Sequence, residues 1–320
     1  MTTVYFVVPC YNEEEVLPET IKRLTIKLAK LIRAGKASVD SRMIFVDDGS
    51  KDKTWEIIEQ FHQENRFVGG VRLSRNRGHQ NALLAGLMTA KEHCDCAISL
   101  DADLQDDIEV IDQFIDKYNE GCEVVYGVRS SREKDTAFKR GTAQGYYKFM
   151  AMLGVDIVYN HADYRLMGKR ALEALSKYKE VNLFLRGIVP LIGFKSDYVY
   201  YERSERFAGE SKYPLKKMIK FAVDGITSFS VKPLKIISNI GIIMCLLSVI
   251  FFIYAIISFF SGSSVAGWAS IMCSIWFLGG LQMLCIGIVG TYVGKIYSEV
   301  KQRPRFTIDK TIINQESEKE

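Results

Sequence analysis

A doubly wound α/β domain with a mainly parallel sheet, followed by a pair of membrane-spanning helices, is the architecture the sequence predicts. Three observations predict it. Short apolar runs alternate with helical patterns as far as Tyr126. Polar clusters rich in carboxylates follow three of those runs. No Asp, Glu, Lys, Arg or His occurs between Lys235 and Lys295.

In chain order, Val4 to Val8 reads as a strand that closes on Pro9-Cys10-Tyr11-Asn12-Glu13-Glu14, with a long helix from about Glu13. Met43 to Val46 closes on Asp47-Asp48-Gly49-Ser50, with a helix from Asp52. Val68 to Leu73 precedes a helix over Gly78 to Glu92. Ala97 to Leu100 runs into Asp101-Ala102-Asp103-Leu104-Gln105-Asp106 and a helix over Asp107 to Tyr118, and Glu123 to Tyr126 is a further strand. Repeated strand-helix alternation implies a mainly parallel sheet with helices on both faces. Ligands of such sheets sit beyond the carboxyl ends of the strands, and the three polar clusters lie there. The dinucleotide fingerprint G-x-G-x-x-G and the phosphate loop G-x-x-x-x-G-K-[ST] are both missing, which excludes a typical dehydrogenase and a P-loop NTPase.

A transmembrane helix needs about 20 apolar residues to cross roughly 30 Å of hydrocarbon. Residues 236–260 and 267–294 each exceed that length and show no polar face of the kind a soluble helix carries. Lys232 and Lys235 precede the first span, and Lys295, Lys301, Arg303 and Arg305 follow the second; the linker 261–266 is uncharged. The positive-inside rule then puts both ends of the pair in the cytoplasm. Just upstream, Leu215, Ile219, Ala222, Ile226 and Phe229 recur at helical spacing, with Lys216, Lys217 and Lys220 elsewhere on the wheel. That pattern fits a helix lying in the inner leaflet. The expected organisation is a cytoplasmic domain over 1–212, an interfacial helix over 213–234, the spans within 235–294 and a cytoplasmic tail over 295–320, loose beyond about Arg305.

Composition narrows the function classes. A net charge of +4 over 320 residues is too small, and too dispersed, for a nucleic-acid surface. Seven scattered cysteines without paired zinc spacing read as reduced thiols. Met1 to Pro9 lacks a basic leader, so the soluble domain is expected to remain cytoplasmic.

Asp101 and Asp103, with Gln105, offer hard oxygen donors suited to Mg²⁺ or Mn²⁺ held jointly with a diphosphate. Alone, the D-x-D pattern is weak, and Asp106 or Asp107 serves equally well as an N-cap of the next helix. The combination is specific. V-P-C-Y-N-E-E at 8–14, D-D-G-S at 47–50, D-A-D-L-Q-D at 101–106, the stretches 74–83 and 162–167 and R-F-A-G-E-S-K-Y at 206–213 resemble family 2 glycosyltransferases. They resemble most the branch that glycosylates polyprenyl phosphates.

That resemblance implies a GT-A type, Rossmann-like domain and inverting transfer of one sugar from a nucleotide sugar to undecaprenyl or a similar polyprenyl phosphate at the cytoplasmic leaflet. UDP-glucose is the first expectation for the donor, ahead of UDP-N-acetylglucosamine, UDP-galactose and GDP-mannose. Carried over by position, Pro9, Tyr11, Glu13, Asp47, Asp48 and Asp101 would hold the nucleotide sugar. Asp101, Asp103 and Gln105 would hold the metal, and Asp163 with Asp103 would face the reacting centre. Arg129, Arg132 and Arg140 would grip the acceptor phosphate, arginine's planar fork matching phosphate oxygens. Asp163, two residues before Arg165, also reads as an orienting group for that side chain, and His79, beside Gly78, as a helix cap or packing residue. The implied protein is integral to the inner membrane, with homo-oligomers possible for paired spans. A processive synthase would carry Q-x-x-R-W, which this chain lacks. A nonenzymatic membrane scaffold or flipping component is the alternative of a different class.

Overall fold

The computed structural model describes residues 1–130, 161–181, 183–202, 232–260 and 267–313. The chain divides into two compact units, one comprising 1–147, 157–213 and 303–320, the other 148–156 and 214–302.

The first unit runs β1 (Val4–Cys10), α1 (Leu17–Arg33), β2 (Arg42–Asp47), α2 (Thr54–Glu64), β3 (Val68–Leu73), α3 (His79–Lys91) and β4 (Cys96–Ser99). A 3₁₀ turn (Ile108–Val110) leads to α4 (Ile111–Asn119) and β5 (Val124–Arg129); β6 (His161–Gly168), α5 (Lys169–Ser176), α6 (Leu185–Leu191) and β7 (Ser196–Tyr201) follow. The strand β8 (Ile308–Ile312) comes from the C-terminal end. All eight strands form one sheet in the order β7-β5-β6-β4-β1-β2-β3-β8. The central strands β4, β1, β2 and β3 are mutually parallel, whereas β6 runs antiparallel between β4 and β5.

Every residue of β1 is buried because helices cover both faces. On one face Phe6, Val8, Met43 and Phe45 share a core with Leu24 and Leu28 of α1, Trp55 and Ile58 of α2 and Phe114 of α4. On the other, α3 lies against the strands at Gly86, where a Cβ would stand 2.4 Å from Val7 Cγ1 and 2.6 Å from Val46 Cγ2. Only a glycine permits that approach.

The expected α1 began at Glu13, yet its first helical residue is Leu17. Pro18 lacks an amide hydrogen and is tolerated only in a first turn, which sets the start. The strand expected over Glu123–Tyr126 continues to Arg129 and carries that side chain to the strand's carboxyl end. The tail expected to be loose beyond Arg305 is instead pinned: Ile308–Ile312 pair antiparallel with β3, Ser74 donates its N–H to the Thr307 carbonyl at 3.0 Å, and the Arg305 guanidinium bonds the Tyr178 carbonyl. An edge strand with open amides, such as β3, is a strong template for a partner strand. A local reading of the tail could not see that partner.

In the second unit, α7 (Lys232–Phe260) and α8 (Trp268–Val300) occupy the two apolar stretches. Within α8, Phe277–Val300 is a 24-residue segment long and apolar enough to cross a membrane. Large apolar side chains such as Ile243, Leu246, Ile250, Met283, Leu284 and Ile286 are exposed. The expected interfacial helix over 213–234 lies outside the described residues as far as 231, and 232–234 belong to α7; the 206–213 motif, the linker 261–266, Arg132 and Arg140 also lie outside the described residues.

Candidate active site

The site begins with the turns after β1 and β2, which are laced together. Asn12, at φ 54°, donates its backbone N–H to Ser50 Oγ at 3.0 Å and accepts from the Lys51 amide at 2.9 Å. Glu13 donates its N–H to Thr54 Oγ1 at 3.0 Å. Pro9 is buried at the end of β1 and Tyr11 stands exposed beside it. Fully buried Asp47 accepts from the Ser50 amide at 2.9 Å and lies 3.6 Å from Arg72 Nε.

Asp48 performs a different task. Its two oxygens accept from the backbone amides of Arg77 and Gly78 at 2.6 and 2.8 Å. Gly49, at φ 66°, makes this possible: a Cβ there would lie 2.6 Å from the Arg75 carbonyl carbon. The β2 turn therefore holds the entry to α3, and α3 opens with His79.

His79 Nε2 lies 3.6 Å from Asp101 Oδ1 and 3.6 Å from Asp163 Oδ2. Asp101 follows β4 and Asp163 stands on β6, so the antiparallel insertion of β6 beside β4 is what joins them. Asp163 is gripped by two arginines. Arg165 Nη2 donates to its Oδ1 at 2.6 Å, Arg186 Nε to Oδ1 at 3.3 Å and Arg186 Nη2 to Oδ2 at 3.0 Å. Gln80, next to His79, accepts from the Leu185 amide at 3.0 Å and so brings α6, with Arg186, to the same place. Asp103 is buried and accepts from the Gln105 amide at 3.2 Å, while Leu104 between them takes a φ of 57°. Asp107 caps the following 3₁₀ turn by accepting from the Glu109 amide at 2.8 Å.

Three cations around Asp163 decide its state. Burial opposes its charge, but the neighbouring charges of Arg186, Arg165 and His79 together outweigh burial and hold its pKa well below the usual carboxylate range. A carboxylate so depressed is a poor proton acceptor; its geometry is that of an anchor for His79, Arg165 and Arg186. Burial raises the pKa of Asp101, aided by the charges of Asp163 and Asp103 and opposed by His79. For His79, burial works against protonation, yet the charges of the nearby Asp163 and Asp101 carboxylates prevail and push it up to about 8. The imidazole is thus an ionic bridge between two strands, with 41% of its side chain still accessible, and more than the cap or packing residue expected of it.

The structure brings Asp47, Asp48, Asp101, Asp103 and Asp163 to the carboxyl edge of the sheet, with Arg129 at the end of β5. His79, Arg165 and Arg186 join them without having been assigned a place in the site. For His79 a signal existed, its position at the start of a helix within the 74–83 motif. For Arg186 there was none, because Leu185–Leu191 is a short helix, apolar apart from this arginine, whose contact with Asp163 is purely tertiary.

A mainly parallel sheet with a carboxylate crevice at its strand ends is an architecture that serves many kinds of α/β enzyme, and the family match decides among them. Residues 5–176 match the model described as glycosyl transferase family 2, and the chain belongs to that family. It is a glycosyltransferase. It is 56% identical over 310 residues, covering 97% of this chain and 92% of the relative, to the uncharacterized glycosyltransferase YkoT of Bacillus subtilis (strain 168). It is 38% identical over 310 residues, covering 96% of this chain and 98% of the relative, to the SfII prophage-derived bactoprenol glucosyl transferase of Shigella flexneri. Among solved structures, glucosyl-3-phosphoglycerate synthase from Mycobacterium tuberculosis matches over 71% of this chain and 76% of that chain, with TM-score 0.43 and 16% identity.

Proposed function

We propose that the protein transfers a single hexose, glucose in the first instance, from a nucleotide diphosphate sugar to undecaprenyl or a similar polyprenyl phosphate at the cytoplasmic leaflet of the inner membrane. The observation that carries this reading is the extent of the likeness to the bactoprenol glucosyl transferases. It spans 96% of this chain and therefore includes the apolar helices, which lie outside the family domain at 5–176.

A phosphate monoester is ionised near neutral pH, its second pKa being about 6, so the acceptor needs no strong base, in keeping with the depressed pKa of Asp163. One acceptor oxygen bonds to the anomeric carbon while the bond from that carbon to the nucleoside diphosphate breaks, its electron pair leaving on the diphosphate oxygen. In-line attack inverts the centre, and the product is a β-linked polyprenyl-phosphate sugar. The chain's contribution is to position the partners and stabilise developing charge. Pro9, Tyr11, Glu13, Asp47 and Asp48 line or brace the nucleotide side. Arg129, with Arg132 and Arg140, grips the acceptor phosphate.

Among the described residues no three His, Cys, Asp or Glu side chains cluster closely enough to hold an ion by themselves. Mg²⁺ bound with a diphosphate asks for only one or two protein carboxylates. Asp101, with 33% of its side chain accessible, and Asp103 supply that number, so the donor set fits Mg²⁺ or Mn²⁺. Asp101, Asp103 and Gln105 would hold the ion, which when bound neutralises charge on the departing diphosphate.

The test is to incubate the purified full chain with undecaprenyl phosphate, Mn²⁺ and, in separate reactions, labelled UDP-glucose, UDP-N-acetylglucosamine, UDP-galactose and GDP-mannose. A lipid-extractable β-linked sugar is expected, most from UDP-glucose, and its loss in Asp103→Ala. No lipid-linked product from any donor would turn the reading towards a nonenzymatic scaffold.

A further inference from the structure

Arg129 and Tyr201 are the last residues of neighbouring parallel strands and stand in register. Ser130 donates both its backbone N–H, at 2.9 Å, and its Oγ hydrogen, at 3.0 Å, to the Tyr201 carbonyl. The Arg129 Nε–H donates to Tyr201 Oη at 3.4 Å, and Tyr201 Oη in turn donates to Asp106 Oδ1 at 2.6 Å. A phenol has one hydrogen to give and lone pairs to receive. Here the hydrogen is committed to Asp106 and the oxygen to Arg129.

The ring has little freedom to move. Tyr201 is buried and meets Tyr164 edge-on at 5.3 Å and 83°, and Tyr164 packs on Phe114 at 4.8 Å while donating its own hydroxyl to the Asp107 carbonyl at 2.9 Å. Among the described residues Tyr201 is the one hydrogen-bond partner of the Arg129 side chain, and it takes Nε, leaving the terminal amino groups as a fork for two phosphate oxygens. Asp106 is also the last residue of the acidic loop that begins at Asp101.

We propose that Tyr201 is a positioning residue for Arg129: anchored on Asp106, its phenol aims the guanidinium at the acceptor phosphate and ties that grip to the loop 101–106 on the donor side. The inference rests on the reading that Arg129 binds the acceptor phosphate. Guanidinium groups lose less entropy per bond when their plane is fixed beforehand, so removing the phenol oxygen frees the plane while leaving the ring's packing in place.

The experiment measures binding to the full-length protein in detergent, with undecaprenyl phosphate as one probe and UDP plus Mn²⁺ as the other, for the wild type, Arg129→Ala, Tyr201→Phe and the double variant. Arg129→Ala is expected to weaken lipid-phosphate binding about tenfold or more, as for loss of a charge-assisted contact. Tyr201→Phe is expected to weaken it about fivefold, the scale of one hydrogen bond. UDP affinity should stay within about twofold, and Tyr201→Phe should add nothing once Arg129 is gone. Multiplying effects in the double variant, or an equal loss of UDP affinity, would show that Tyr201 acts through the fold at large and would overturn the inference. If Arg129→Ala itself leaves lipid binding unchanged, the reading of Arg129 fails first, and the inference with it. Should Tyr201→Phe not fold, Asp106→Ala, which removes the acceptor of the Tyr201 hydroxyl, takes its place in the same cycle: a loss of lipid-phosphate binding that disappears in the Arg129→Ala background supports the inference, and an undiminished loss there overturns it.

Discussion

Replacing Asp163 by Asn removes one charge from a buried cluster and nearly no volume. Arg165, 1% exposed, would then keep its charge without a counter-ion at 2.6 Å, while Arg186, with 33% of its side chain accessible, could turn towards water. Removing one partner of a buried pair costs about 3–5 kcal/mol, because the other charge stays desolvated. Since only one of the two arginines is fully trapped, we expect the lower end, about 3 kcal/mol. For a domain of this size that is a fall in Tm of roughly 6–12 °C. Differential scanning calorimetry of the full chain in detergent measures it. The pH dependence is a second check. The folded-state pKa lies below the unfolded value of about 3.9, so the unfolded chain binds the extra proton. The wild type's advantage is fully present above that value and shrinks as pH falls below it. A Tm unchanged by Asp163→Asn at neutral pH would refute the argument that this carboxylate holds the cluster together.

His79 carries the opposite sign. With its folded-state pKa raised to about 8, its contribution is complete below the unfolded value of about 6.5 and is lost as pH rises through about 8. In metal-free buffer the gap in Tm between the wild type and His79→Gln should close between those values, and a gap that persists above pH 9, roughly a unit beyond the raised pKa, would count against the ionic bridge. Gly86→Ala tests the packing of α3: its Cβ would meet Val7 and Val46 well inside contact distance. The expected loss is about 1–3 kcal/mol on urea unfolding, with the m-value unchanged.

Much of this molecule was legible in local patterns. The strands β1 to β5 and helices α1 to α4 follow from apolar runs bounded by turn residues, and the D-x-D loop follows from its place after a strand. The gap in charge between Lys235 and Lys295 marks the stretch that forms two long apolar helices. Strand β6 escaped that kind of reading because Asp163 and Arg165 interrupt its apolar pattern; they are buried as an ion pair to which Arg186 also contributes. Strand β8 escaped because it has no core of its own and is ordered by the open edge of β3.

By itself, then, the sequence determined the fold class and the residue types at the strand ends, since periodicity and turn chemistry act between near neighbours. Tertiary structure alone decided that His79 bridges Asp101 and Asp163, that Arg186 completes the cluster from α6 and that Tyr201 meets both Arg129 and Asp106. Those contacts join residues 22 to 95 positions apart. Electrostatics and hydrogen bonds depend on distance in space, and the folded sheet is what sets that distance.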